Sequence, residues 1–225
     1  QGPARCHDAL GEDAMPTEHA AQALANLRTL DHFSWNVVPI LVLCVYVYAV
    51  EIERRNWSVV YAGLALWGVD WFNEIWNSLV FHFTQYAPLW AAPGETTYLI
   101  LIGLNVEICL MFAILGVVGA KLLPADRGAR ILGLPNRWFL AITLSVTAVV
   151  IEIGLNAFGV LTWDYAWWSA RSPLPIVVAG YLHFFVIAFW VHDRATRRAQ
   201  VTAVGAIYAF DAACLALFGG VLGWI

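Results

Sequence analysis

The polar positions in this chain are few, and their spacing is what organises it. Six apolar stretches of membrane length, about 20 residues being needed for each, run over roughly 33–52, 59–83, 98–122, 138–161, 174–191 and 201–225. Before them, Thr17 to Leu30 reads as a short amphipathic helix. Thr17 is its N-cap after Pro16, Glu18 lies in its first turn, and Ala20, Leu24 and Leu27 form a stripe. That helix is expected in the membrane interface or against the bundle. Residues 4–16 have no periodicity and read as a mobile terminal segment without a signal peptide, and Gln1-Gly2-Pro3 as the remnant of a protease site used to remove a tag. The pattern predicts an all-α polytopic bundle, with 1–3 as tag remnant, 4–31 as the N-terminal segment and 32–225 as one transmembrane domain.

Inside the second apolar stretch, Asp70, Asn73, Glu74 and Asn77 follow the i, i+3, i+4, i+7 spacing that lines one side of a helix. An ionisable residue at the centre of a membrane helix costs about 2.5 to 3.5 kcal/mol on insertion scales, so such residues face a bundle interior and mark functional sites. Glu107, Glu152, His183 and Asp211 interrupt other stretches in the same way. At about 1.5 Å of rise per residue, Glu74, Glu107, Glu152, His183 and Asp211 fall in one layer near the midplane, biased to the outer leaflet.

The polar residues also repeat. Glu74 and Glu152 are 78 positions apart, Trp90 and Trp168 are 78 apart, Gly103 and Gly180 are 77 apart, and Glu107 and His183 are 76 apart. Spans 2 and 3 therefore read as a parallel copy of spans 4 and 5, an arrangement that places binding sites at the repeat interface. Asp211 and the Phe218 to Trp224 stretch resemble Glu152 and Phe158 to Trp163; a partial third copy and chance likeness among Trp-rich helices both account for that.

Composition confirms the class. Of 225 residues, 61% are hydrophobic and only 12% charged, with a mean hydropathy of +0.69, against about a quarter charged in soluble proteins. A net charge of -4 without a basic patch excludes nucleic acid as a partner. Cys44, Cys109 and Cys214 sit in apolar segments as small core residues, with Cys6 outside them. Basic residues cluster in the connections between spans 1 and 2, 3 and 4, and 5 and 6, where nine Lys and Arg face Arg5, Arg28 and Arg171 on the other side. The basic side is expected to be cytoplasmic, in a bacterial inner membrane with both termini outside.

The layer holds Asp70, Glu74, Glu107, Glu152 and Asp211 against one His183, with no Lys or Arg in a span interior. These carboxyls need protons, amide partners or a cation. Glu74, Glu152, Asp211, Glu107 and His183 are the candidate catalytic groups. Asp70, Asn73, Asn77, Asn105 and Asn156, with the aromatic walls Trp67, Trp71, Trp163, Trp190 and Tyr208, are the candidate substrate-binding groups. The asparagines also suit interhelical hydrogen bonding, and Trp57, Trp90, Trp138, Trp168 and Trp224 suit interfacial belts.

Thr162-Trp163-Asp164, then Gly180, then Phe184-Phe185 resembles a stretch of the membrane-integral lycopene cyclase domain, with Tyr181-Leu182-His183 where that family has an acidic pair. Glu74 and Asp211 resemble the two acids of the fungal membrane-bound meroterpenoid cyclases, with Asn73-Glu74 in place of their Trp-Glu pair. Both resemblances imply protonation of an alkene or epoxide in an isoprenoid. The expected function is an enzyme acting on an isoprenoid, polyene or sterol by cyclisation, isomerisation or hydration, with no organic cofactor. A proton- or cation-coupled transporter or channel is the alternative, against which the spans show no broken helices. A metal ion at the carboxylate and His183 cluster is a third reading, but no spacing selects one. The partner is a membrane lipid or lipid-soluble substrate; nothing in the chain fixes the oligomer.

Overall fold

Helix α3, Trp57–Thr84, is the 28-residue column on which the other helices are hung. The computed structural model describes residues 15–30 and 34–225; the tag remnant, most of the terminal segment with Cys6, and the first residue of span 1 lie outside them. α2 (Val37–Glu53), α4 (Val106–Lys121), α6 (His183–His192) and α7 (Arg197–Cys214) all pack on α3. Helix α5 (Asn136–Ala157) packs on α6 and on the segment leading into it.

The α3–α4 contact is close because glycine meets glycine. A Cβ added to Gly116 would lie 2.8 Å from the Cα and the carbonyl oxygen of Gly63, so the two backbones touch as small residues permit in membrane helix pairs. The Tyr48 hydroxyl donates to the Ala113 carbonyl at 3.1 Å and ties α2 to α4.

The third apolar stretch is not one helix. Leu99–Leu101 (β1) and Leu104–Asn105 (β2) form an antiparallel hairpin, and α4 starts only after Asn105, whose side chain caps it by accepting from the Ile108 N–H at 2.7 Å. A second hairpin, Arg130–Ile131 (β3) with Leu134–Pro135 (β4), opens α5. The fifth stretch is likewise irregular: Ile176–Leu182 is π-helical before it continues as α6, and Leu215–Val221 is π-helical after α7. These wide turns correct the expectation of unbroken helices.

All-α architecture holds, but six membrane-length helices do not. Among the described residues, two helices are long and apolar enough to cross a membrane, Asn136–Ala157 and Arg197–Val221. The α2 helix has 17 residues and α4 has 16, while the polar stripe of α3 lowers its hydropathy. The outward faces of these helices are apolar, with Val42, Val45, Tyr46, Val150, Ile151 and Phe210 exposed, as expected for a surface that meets something other than water.

The N-terminal helix is shorter than its periodicity indicated. α1 spans Glu18–Asn26, with Thr17 capping the Ala20 N–H. Its buried face is Ala20 and Ala23 rather than the Leu24 stripe, and Leu24 is exposed. It lies on the connections that follow α3 and α5: Thr17 Oγ1 donates to Asp164 at 2.6 Å, His19 bonds the same carboxylate at 2.8 Å, and Asn26 Nδ2 donates to the Pro93 carbonyl. The helix ends where Leu27 turns extended and pairs with Leu99.

The basic residues gather at the opposite end. Arg137 grips Asp193 with two parallel bonds, Nε to Oδ2 at 2.9 Å and Nη2 to Oδ1 at 3.1 Å, and Arg127 approaches the same carboxylate at 3.4 Å. Lys121 pairs with the buried Glu51 at 2.6 Å, and Arg197 lies 4.0 Å over the Trp57 ring.

Candidate functional site

Between α3, α4, α5 and the π-helical segment Ile176–Leu182 lies a chamber of about 30 Å³. Asp70, Asn73 and Glu74 reach it from α3 and Glu152 from α5, as the stripe spacing requires. Trp90 closes it from the connection between α3 and β1 and Trp168 from the one between α5 and Ile176, and Gly103 and Gly180 also line it. These include all six members of the three repeat pairs formed by Glu74 and Glu152, Trp90 and Trp168, and Gly103 and Gly180.

Each half is built alike. A Cβ on Gly103 would lie 2.6 Å from Trp90 Nε1, and one on Gly180 would lie 3.4 Å from Trp168 Cζ2. Each glycine thus makes room for the tryptophan of its own half. The two indoles stack with centroids 6.0 Å apart and planes 24° apart. The strands beside them pair across the halves, Ala91 N–H to the Thr162 carbonyl at 3.0 Å and Thr162 N–H to the Ala91 carbonyl at 2.9 Å.

The acids are held unequally. Glu74 Oε1 accepts from Trp90 Nε1 at 2.8 Å, and its Oε2 is buried without a partner. Glu152 lines the chamber beside Tyr181. Asp70 lies near enough to Glu74 and Asp211 for their charges to act on it, and Glu74 near enough to Glu152. Asp70 Oδ2, both oxygens of Asp211 and the Trp168 indole N–H are also buried and unpartnered. The four carboxyls form a file from α7 through α3 to α5.

Asn77 is fully buried and works on the loop. Its Oδ1 accepts from the Leu89 and Trp90 N–H groups at 2.8 and 3.3 Å, and its Nδ2 donates to the Trp90 carbonyl at 2.8 Å. It therefore fixes the tryptophan that meets Glu74. Asn73 Nδ2 donates to the Gly180 carbonyl at 3.2 Å and its Oδ1 bonds His183 Nε2 at 2.9 Å.

A second space adjoins the chamber. An apolar groove of about 440 Å³ runs between α2, α4 and α5. Five residues line both spaces: Ile108, Phe112, Glu152, Leu161 and Tyr181. Glu152 is the one carboxyl that reaches both. Phe112 lies over Tyr181 at 6.1 Å and beside Phe184 at 5.3 Å, so the junction is walled by aromatic faces.

Residues 17–220 match an uncharacterized membrane protein family. The chain belongs to this family. It is 54% identical over 211 residues to an uncharacterized protein of Archaeoglobus fulgidus, covering 94% of this chain and 100% of that one, and 51% identical over 55 residues to another from the same organism, covering 24% of this chain and 98% of that one. No solved structure matches. Membrane residence is thereby established; relatives from an archaeon give no support to a bacterial inner membrane, and the family description says nothing of isoprenoid cyclases.

Several predicted site residues lie elsewhere. Glu107 is in the first turn of α4, eight residues closer to the helix start than its assumed depth required, and both its oxygens are taken by Thr96 and Thr97, at 2.6 and 2.9 Å. It anchors a loop and does not pair with His183. Asn105 is a helix cap, and Asn156 Nδ2 donates to the Leu161 carbonyl at 3.0 Å. Trp67 donates to the Cys109 sulfur, and Trp71 packs with it around Ile75. Trp163 packs in the main core. The Tyr208 hydroxyl donates to the Leu64 carbonyl at 3.0 Å. Trp190 is at the basic end, under Arg194. Among the described residues no three His, Cys, Asp or Glu side chains converge on a metal position. Trp90 and Trp168, read as interfacial belts, are among the site residues missed, with Phe112, Tyr181 and Phe184; the 78-residue spacing was the signal for the two tryptophans.

Proposed function

We propose that the protein is an integral membrane enzyme that protonates an apolar lipid, an isoprenoid, polyene or sterol, leading to its cyclisation, isomerisation or hydration. One observation carries the reading: Glu152 stands at the junction of an acid-lined chamber and an apolar groove large enough for a hydrocarbon chain. Glu152 delivers the proton to a double bond in the groove, acting as general acid. Phe112, Tyr181 and Phe184 shield the resulting cation with their ring faces. Glu74, with Asp70 and Asp211 behind it, restores the proton to Glu152. Glu107 and His183 have no part in the transfer, since their partners are Thr96, Thr97 and Asn73.

In this reading the chain crosses the bilayer six times. The hairpin Leu99–Asn105 and the segment before Ile176 complete crossings that α4 and α6 only begin, as non-helical backbone at membrane depth does when it is buried in protein. The basic end is cytoplasmic and the chamber faces the outer leaflet.

The test is turnover. Lipids extracted from membranes carrying the wild-type chain and a Glu74→Gln, Glu152→Gln double variant are compared by mass spectrometry. A product present only with the wild type is expected, and full turnover by the double variant would sink the proposal.

The π-helical segments favour a second reading. Ile176–Leu182 lines the chamber and Leu215–Val221 follows Asp211 closely, and interrupted helices beside intramembrane acids suit a proton- or cation-coupled transporter. Gradient-driven flux in proteoliposomes that Glu152→Gln abolishes, without any lipid product, would establish it instead.

A further inference from the structure

We infer that the chamber receives the hydroxyl group of a long-chain lipid alcohol whose hydrocarbon lies in the groove. This rests on the lipid-enzyme reading above and narrows its substrate class.

Size comes first. A space of about 30 Å³ admits one water-sized group and excludes a ring or a branched chain. The hydrocarbon must therefore stay in the 440 Å³ groove, with only a small polar head passing Glu152 and Tyr181, which line both spaces.

Hydrogen bonding then selects the head. Three side chains that line the chamber each hold a buried polar atom without a partner: Trp168 Nε1, a donor, and Glu74 Oε2 and Asp70 Oδ2, acceptors when ionised. A hydroxyl accepts from the indole and donates to a carboxylate at once. A carbonyl or epoxide oxygen only accepts, so it can meet the indole and a protonated carboxyl but never the ionised form through which the proton relay passes, whereas a hydroxyl suits both forms.

Charge removes the other heads. Asp70, Glu74 and Glu152 line the chamber, and no Lys or Arg does, so carboxylate and phosphate heads are repelled. An ammonium would satisfy the acids but turn a donor toward the Trp168 N–H. Water satisfies the same atoms as a hydroxyl, and a lipid alcohol displaces it by reproducing both bonds.

The experiment is a competition. The full chain in detergent is offered four isoprenoids of equal chain length, ending in a hydroxyl, a hydrocarbon, a primary amine or a carboxylic acid, and occupancy is read by native mass spectrometry. The alcohol is expected to exceed the hydrocarbon by about tenfold, the factor for one to two net hydrogen bonds. In Trp168→Phe that ratio is expected to fall to about threefold, the share left to the carboxylate bond; if this variant does not fold, the wild-type series decides alone. Equal occupancy of alcohol and hydrocarbon, or preference for the amine, overturns the hydroxyl assignment but leaves the lipid reading standing. No occupancy by any of the four overturns both.

Discussion

The indole N–H of Trp90 donates to Oε1 of Glu74 at 2.8 Å, joining the connection after α3 to an acid in the middle of that helix. Trp90→Phe keeps most of the ring and removes the donor, leaving that oxygen buried and unmet. A loss of about 1–3 kcal/mol in stability is expected, read as a lower unfolding temperature in detergent, together with reduced turnover if the proposed lipid chemistry holds.

Asn77 secures the same tryptophan through two bonds to its backbone and one to that of Leu89. Asn77→Ala is expected to cost at least as much as Trp90→Phe. It should also free the loop, seen as faster hydrogen exchange at Leu89 and Trp90.

Gly103 and Gly180 are related by the repeat but not by tolerance. A Cβ at Gly103 meets Asn77 Nδ2 and the Trp90 ring at 2.6 Å, whereas at Gly180 its nearest contact is 3.3 Å from Ile176 Cγ2. Gly103→Ala is expected to cost about 1–3 kcal/mol by overpacking. Gly180→Ala should shift the unfolding temperature less than Gly103→Ala does.

At the basic end, burial alone would raise the pKa of Asp193, but bonds from Arg137 and His192 and the charges of Arg137 and Arg127 outweigh it and hold the carboxyl below its usual value of 3.8. A depressed folded pKa contributes stability above the unfolded value and loses it as pH falls through the folded one. The unfolding-temperature gap between wild type and Asp193→Asn should therefore be constant from neutral pH down to about pH 5 and shrink below about pH 4. A gap that widened on acidification would contradict the ion pair's role.

What could be read from the chain was what periodicity and cost reveal. The stripe of α3 put Asp70, Asn73, Glu74 and Asn77 on one face, and the structure turns that face inward. The repeat paired residues that meet in one chamber, yet the same tryptophans looked interfacial because composition marks Trp as a belt residue wherever a span ends. Apolar runs do not distinguish helix from buried hairpin. Leu99 to Asn105 therefore passed as helix, and the depth inferred for Glu107 followed from that error. Trp190 was misplaced for a related reason: it lies on α6 as His183 does, but two turns further toward the basic end. The groove depends on α5 standing away from α4, a tertiary fact that no local pattern encodes.

The reciprocal bonds between Ala91 and Thr162 make the roof over the acids a single seam stitched from both halves. Lifting either tryptophan therefore pulls on the other half's connection. On the proposed lipid-binding reading, exchange would run sideways through the groove between α4 and α5, and the rate at which ligands come and go should follow the fluidity of the lipid rather than the viscosity of the water.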